Sequence, residues 1–224
     1  GLEASLNRLL NGEPLAYLTG KRSFYGLDFR VNPGVLVPRP ETELLVEHAL
    51  AWLTAHPGRR KVADVGTGSG IIAISVARNC PDAAVLATDI SVDALETARC
   101  NALQLGISDR IQFQQADLLN GVTDKFDLIL ANLPYIPTTT LTDLQVARHE
   151  PRLALDGGED GLVLIRKLVS KMPDIALPGA CMILEIQYNQ GDQVLHIVNL
   201  LPGTPRFSLH NDLSGLPRIA KIEL

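Results

Sequence analysis

Apolar positions along this chain change their period several times, and each change predicts an element. Leu2, Leu6, Leu9 and Leu10 follow helical spacing. Between Tyr17 and Val31 the pattern becomes an alternation rich in β-favouring residues, broken by Gly20 and Gly26, which predicts a β-hairpin. Pro38-Arg39-Pro40-Glu41-Thr42-Glu43 then opens a helix, because proline suits the first helical turn and acidic side chains favour its positive end. Leu44, Leu45 and Trp52 continue that helix, and His56-Pro57-Gly58 closes it.

From Lys61 the chain alternates regularly. Strands are predicted at 61–65, 84–89, 110–115 and 126–131, with helices at 69–79 and 92–105. After a Pro/Thr-rich loop at 132–140 come a helix near 159–172, a strand at 180–187, a helix at 190–200, and strands at 205–210 and 218–224. Strand-then-helix alternation of this kind reads as an α/β fold with a parallel sheet covered on both faces, and the last two strands read as an antiparallel edge hairpin.

Composition narrows the partners. The 224 residues are 46% hydrophobic and 20% charged, and no apolar stretch approaches the ~18 residues of a membrane span. A net charge of −5 argues against broad, charge-driven binding of nucleic acid. Cys80, Cys100 and Cys181 are far apart and form no CxxC pair, so neither a disulfide framework nor a zinc site is expected, and a reducing cytoplasm is the expected compartment. The five histidines are scattered, and no metal site is expected.

Candidate chemistry gathers at strand ends. Asp64-Val65-Gly66-Thr67-Gly68-Ser69-Gly70 runs from a strand into a helix, where glycines bring bare backbone close to a ligand and the helix start offers free N–H donors. The spacing is GxGxG, without the third glycine of the dinucleotide fingerprint, so a ligand carrying a carboxylate and an amine is favoured over a dinucleotide phosphate. Asp89, at the end of the next strand, is placed to accept both ribose hydroxyls, or to cap the helix after it. Asp117 at the third strand end could accept adenine amino hydrogens, with Leu118 packed on the ring, and Asp64 orients the loop or the amino-acid end of the ligand, or makes a structural bond to loop backbone.

The fourth strand ends in Asn132-Leu133-Pro134-Tyr135. This tetrapeptide is similar to the Asn-Pro-Pro-Tyr motif of methyltransferases that act on planar, conjugated nitrogens. Such a nitrogen is a poor nucleophile because its lone pair is delocalised. The Asn132 side-chain oxygen and the Leu133 backbone carbonyl could each accept one N–H, with Tyr135 stacked on the flat group and Pro134 stiffening the loop.

Four further segments sharpen the resemblance: Glu13-Pro14-Leu15-Ala16-Tyr17-Leu18-Thr19-Gly20, Phe24-Tyr25-Gly26-Leu27-Asp28-Phe29, Val37-Pro38-Arg39-Pro40-Glu41-Thr42-Glu43, and Leu155-Asp156-Gly157-Gly158-Glu159-Asp160-Gly161-Leu162. Together and in this order they resemble the HemK or PrmC family, which methylates the glutamine of the Gly-Gly-Gln motif in peptide-chain release factors. The resemblance implies a Rossmann-like doubly wound, mostly parallel seven-stranded sheet with an antiparallel C-terminal edge strand, preceded by a short β-hairpin. It implies S-adenosylmethionine bound by Gly66, Thr67, Gly68, Ser69, Gly70, Asp89, Asp117, Leu118 and Asn132, and glutamine held by Asn132 to Tyr135. Arg39 and Glu41 either line the same pocket or serve only the helix start. The implied division is a remnant of an N-terminal helical region plus hairpin linker over 1–36, and a methyltransferase domain over 37–224. The implied partner is a release factor, without direct nucleic-acid binding; base-amine methylation and a non-catalytic S-adenosylmethionine-binding module are the competing expectations. Three departures stand out: Leu133 replaces the usual proline, Glu185-Ile186-Gln187-Tyr188-Asn189-Gln190-Gly191 lacks a glycine expected just after Glu-Ile, and most of the family's helical domain before the hairpin is not in this sequence.

Overall fold

In the computed structural model, which describes residues 2–224, the chain opens with α1 (Leu2–Leu10) and one helical turn, α2 (Leu15–Thr19). The hairpin follows as β1 (Lys21–Phe24) and β2 (Leu27–Arg30), so residues 17–19 belong to a helix and not to the predicted strand. Local punctuation outweighs β propensity here. Pro14 fixes the entry, Gly20 leaves in the left-handed region at φ 69°, and the buried Tyr17 hydroxyl donates to Val35 O at 2.6 Å.

A 3-10 turn at Pro40–Thr42 leads into α3 (Glu43–Ala55), as the proline and acidic residues predict. The alternating part is β3 (Lys61–Val65), α4 (Ile71–Asn79), β4 (Ala84–Asp89), α5 (Val92–Gln104), β5 (Ile111–Gln115) and β6 (Phe126–Ala131). The segment predicted as loop contains a short helix, α6 (Thr138–Leu141). The helix predicted near 159–172 starts only at Val163, after the glycine-rich turn. It then divides into α7 (Val163–Ser170) and α8 (Met172–Ile175), where Pro173 cannot supply an N–H to a continuous ladder. β7 (Ala176–Glu185), α9 (Gly191–Val198), β8 (Arg206–Asn211) and β9 (Pro217–Glu223) complete the chain.

The seven-stranded sheet has the order β5-β4-β3-β6-β7-β9-β8. Five strands are parallel, and β9 runs antiparallel to both β7 and β8, which gives the mixed edge expected from the sequence. β6 shows why Leu128–Ala131 is an unbroken apolar run. Leu128 and Leu130 face the layer of α3, α4 and the hairpin residues Phe24 and Phe29, whereas Ile129 and Ala131 face α7 and α9. A strand buried on both faces has no polar side to display.

The register sets up the site. Val65 of β3 pairs with Ala131 of β6, and Ala131 pairs with Leu184 of β7. The next residues, Gly66, Asn132 and Glu185, therefore emerge side by side at the carboxyl edge. This is also where the strand order reverses, the crevice in which open α/β sheets bind ligands.

Candidate active site

A cavity of about 320 Å³ opens at this edge. Its walls include Gly66 to Ser69, Asp89, Asp117, Leu118, Asn132, Leu133, Pro134 and Arg39, so residues spread over almost a hundred positions line one space. Gly70 and Tyr135 are not among its lining residues.

The glycine loop leaves β3 with Gly66, Gly68 and Gly70 at φ 76°, 56° and 84°, a region in which a Cβ is strained. A Cβ on Gly68 would meet nothing within 4 Å, so the loop presents bare backbone to the cavity there. Gly70 serves packing instead: a Cβ would lie 3.0 Å from Ala98 Cβ, and its absence lets α4 start close against α5.

Two carboxylates fix the loop. Asp64 is fully buried, and its Oδ2 accepts from Thr67 Oγ1 at 2.6 Å and from Ala73 N at 3.0 Å, while Oδ1 has no partner among the described residues. Burial pushes its carboxyl up to about 7, against the pull of those two hydrogen bonds. Asp89 accepts Gly68 N–H at Oδ2 and Ser91 N–H at Oδ1, both at 2.9 Å, and burial raises its pKa. The N-cap of α5 is Ser91, whose Oγ accepts from Ala94 N, so capping is not what Asp89 does. Each Asp89 oxygen keeps a lone pair for a further donor.

Next to Asp117, Leu118 is one of two non-glycine residues with positive φ among the described residues, at 57°, and its carbonyl accepts from Thr88 Oγ1 at 2.8 Å. The donor set fits S-adenosylmethionine: a carboxylate with spare lone pairs for vicinal hydroxyls, an exposed Asp117 beside a buried Leu118, and an uncovered glycine turn.

At the other end, Asn132 Nδ2 donates to Thr42 Oγ1 and to Glu185 Oε2, each at 3.0 Å. Both amide hydrogens are thereby used, and Oδ1 accepts nothing among the described residues. The Leu133 carbonyl likewise accepts nothing among them, while the Leu133 side chain is buried against Gly66. The Tyr135 hydroxyl donates to Glu185 Oε1 at 3.4 Å, and its half-buried ring packs against the core. Burial raises the Tyr135 pKa.

Backbone braces hold this tetrapeptide. Ile136 N–H donates to Leu155 O and Gly157 N–H to Ile136 O. A Cβ on Gly157 would lie 2.7 Å from Pro134 O, and one on Gly161 2.3 Å from Tyr135 O, which accounts for these two glycines of 155–162. Gln190 Nε2 adds a bond to Tyr135 O at 3.0 Å, and its Oε1 accepts from Gln187 N. The turn after Glu185 has no residue at positive φ, so the missing glycine costs nothing.

Arg39 lines the cavity with its guanidinium on Glu150, Nη2 to Oε1 at 2.5 Å, and the other Glu150 oxygen accepts Val37 N–H. Arg39 precedes the 3-10 turn but makes no side-chain bond to it, and Glu41 is not part of the cavity lining. Thr42, Glu150, Glu185 and Gln190 are assigned no role from the sequence. Glu185 alone carried a signal, an acidic residue closing an apolar strand at the ligand-binding edge. Glu185 is 1% exposed, and burial pushes its carboxyl up to about 7, opposed by the Thr42 hydroxyl, Arg218 and Tyr135. No group of three or more His, Cys, Asp or Glu among the described residues could hold a metal ion.

Residues 40–158 match the methyltransferase small domain family. Two release factor glutamine methyltransferases align over most of the chain. That of Moorella thermoacetica is 46% identical, covering 96% of this chain and 76% of its own. That of Bradyrhizobium diazoefficiens is 39% identical, covering 94% and 72%. Among solved structures, a ribosomal protein L11 methylase from Lactobacillus delbrueckii subsp. bulgaricus superposes with a TM-score of 0.61 at 25% identity, covering 86% of this chain and 82% of that one. By sequence, fold and the strand-end site together, the chain belongs to the release factor glutamine methyltransferase family of S-adenosylmethionine-dependent methyltransferases.

Proposed function

We propose that this chain transfers a methyl group from S-adenosylmethionine to the side-chain amide nitrogen of the glutamine in the Gly-Gly-Gln motif of a peptide-chain release factor. The observation that carries the reading is the Asn132 amide, whose hydrogens are both engaged by the protein while its oxygen stands free beside the glycine loop. A free acceptor at that point matches a substrate nitrogen that bears hydrogen.

When bound, S-adenosylmethionine would supply an electrophilic methyl group on a positively charged sulfur, which leaves as a neutral thioether while the amide nitrogen gives up one of its two hydrogens as a proton to solvent. Gly66, Thr67, Gly68 and Ser69 hold its methionine end, Asp89 the ribose, and Asp117 with Leu118 the adenine. Gly70 supports the loop from behind. Asn132 Oδ1 and the Leu133 carbonyl each accept one N–H of the glutamine amide, which turns the nitrogen toward the methyl group. Fixed acceptors need no reorganisation during the reaction, and this is the main rate-raising effect available to a weak nucleophile. Pro134 and Arg39 shape the substrate end, and Tyr135 acts through Glu185.

On this reading residues 37–224 are the methyltransferase domain, and residues 1–36 contribute Gly34, Val35 and Leu36 to the cavity wall. The partner is a protein in the cytoplasm and no nucleic acid is contacted directly, which the net charge of −5 supports. No helix among the described residues is long and apolar enough to cross a membrane. Incubation with unmethylated release factor and methyl-labelled donor tests the proposal. Label on the glutamine of Gly-Gly-Gln is expected, and label on nucleic acid instead overturns it.

A further inference from the structure

The Asn132 amide could sit in its slot in two ways, and only one presents oxygen to the cavity. What decides between them lies behind it. Glu185 closes β7 next to Asn132, and its carboxylate meets three donors: Asn132 Nδ2 at Oε2, the Tyr135 hydroxyl at Oε1 and the Thr42 hydroxyl. Thr42 Oγ1 takes the second hydrogen of Asn132 Nδ2 at 3.0 Å.

An ionised carboxylate accepts only, so it cannot pair with the amide oxygen. We propose that Glu185 is a positioning residue for methyl transfer, which through its contact with Asn132 and Thr42 locks the Asn132 oxygen toward the substrate and so selects an N–H-bearing acceptor. The inference rests on Asn132 as the acceptor of the glutamine amide. A protonated Glu185 can donate to the amide oxygen, which permits the reversed orientation and removes the acceptor from the cavity. The groups facing Glu185 are Glu41 and Thr42 from the turn before α3, Asn132 and Tyr135 from the end of β6, and Arg218 from β9. Arg218 and the hydroxyls favour the ionised form, while Glu41 and burial oppose it.

Glu185→Gln tests this in the full chain, with an unmethylated bacterial release factor as substrate and calorimetry of S-adenosylmethionine as the check on folding. We expect kcat to fall about 10- to 100-fold, the scale of one charged hydrogen bond, with cofactor affinity unchanged. The wild-type kcat should rise with pH through about 7, the Glu185 titration, and the variant should lack that limb. In an Asn132→Ala background the Glu185 change should add nothing. A wild-type kcat and pH limb in Glu185→Gln, or a fully additive loss beside Asn132→Ala, overturns the inference. Unchanged turnover in Asn132→Ala alone sinks the underlying reading and the inference with it. Should Glu185→Gln lose cofactor binding, Thr42→Val decides: a several-fold fall in kcat at unchanged cofactor affinity supports the positioning role, and no fall overturns it.

Discussion

Leu133 covers Gly66: the leucine side chain is 4% exposed, and a Cβ on the glycine would lie 3.1 Å from Leu133 Cδ2. The residue that replaces the usual proline thus ties the substrate strand end to the cofactor loop by packing, while its free carbonyl keeps the polar role. Leu133→Ala should destabilise the protein by about 2–5 kcal/mol, as large-to-small changes in cores do, with kcat altered only a few-fold. Thermal melting and initial rates check this. A large loss of kcat at unchanged stability would show that the side chain, not the backbone, serves the chemistry.

Gly157 gives a second test. An alanine Cβ there would press on two backbone oxygens, those of Pro134 and Gly161, both at 2.7 Å, and backbone cannot swing aside as a flexible side chain can. Gly157→Ala should shift Asn132 to Tyr135 and lower kcat by about tenfold or more, because small misplacements are costly to oriented reactions. Cofactor affinity by calorimetry should hold, since the glycine loop is not touched.

Much of this was legible from the sequence. The bounds of β3, β4 and β6 fall where they are predicted, because apolar runs there are bracketed by polar or glycine residues and buried on both faces. Leu155 to Leu162 was visible as a motif, but its purpose was not, since the reason for Gly157 is an oxygen 23 positions earlier in the chain. The pairing of Asn132 with Glu185 spans 53 residues, and Arg39 with Glu150 spans 111. Such contacts follow from sheet register and loop closure, which periodicity does not encode. Tyr17 to Thr19 shows the local counterpart, where Pro14 and Gly20 set a helical turn in a segment whose side chains favour strand.

Asp64 predicts a pH dependence of stability. Its carboxyl titrates at about 7 in the fold against an ordinary 3.8, so the native state binds the proton more tightly. The resulting stabilisation is complete below the unfolded pKa and is lost as pH rises through about 7; Glu185 contributes with the same sign. Asp64→Asn keeps an acceptor for Thr67 and Ala73 but does not titrate. The melting temperature of the wild type should therefore fall more steeply than that of the variant between about pH 4 and about pH 7. Parallel curves would show that Asp64 is ionised throughout.

The most direct test of the whole account is Asn132→Ala, read by two measurements on one preparation. Calorimetry should show S-adenosylmethionine binding close to wild type, because the glycine loop, Asp89 and Asp117 remain. Methylation of the release factor glutamine should fall by about a hundredfold or more, as for loss of a preorganised group that acts in the transition state. Turnover at the wild-type rate would contradict the account, because the free oxygen at the end of β6 would then have no part in the chemistry.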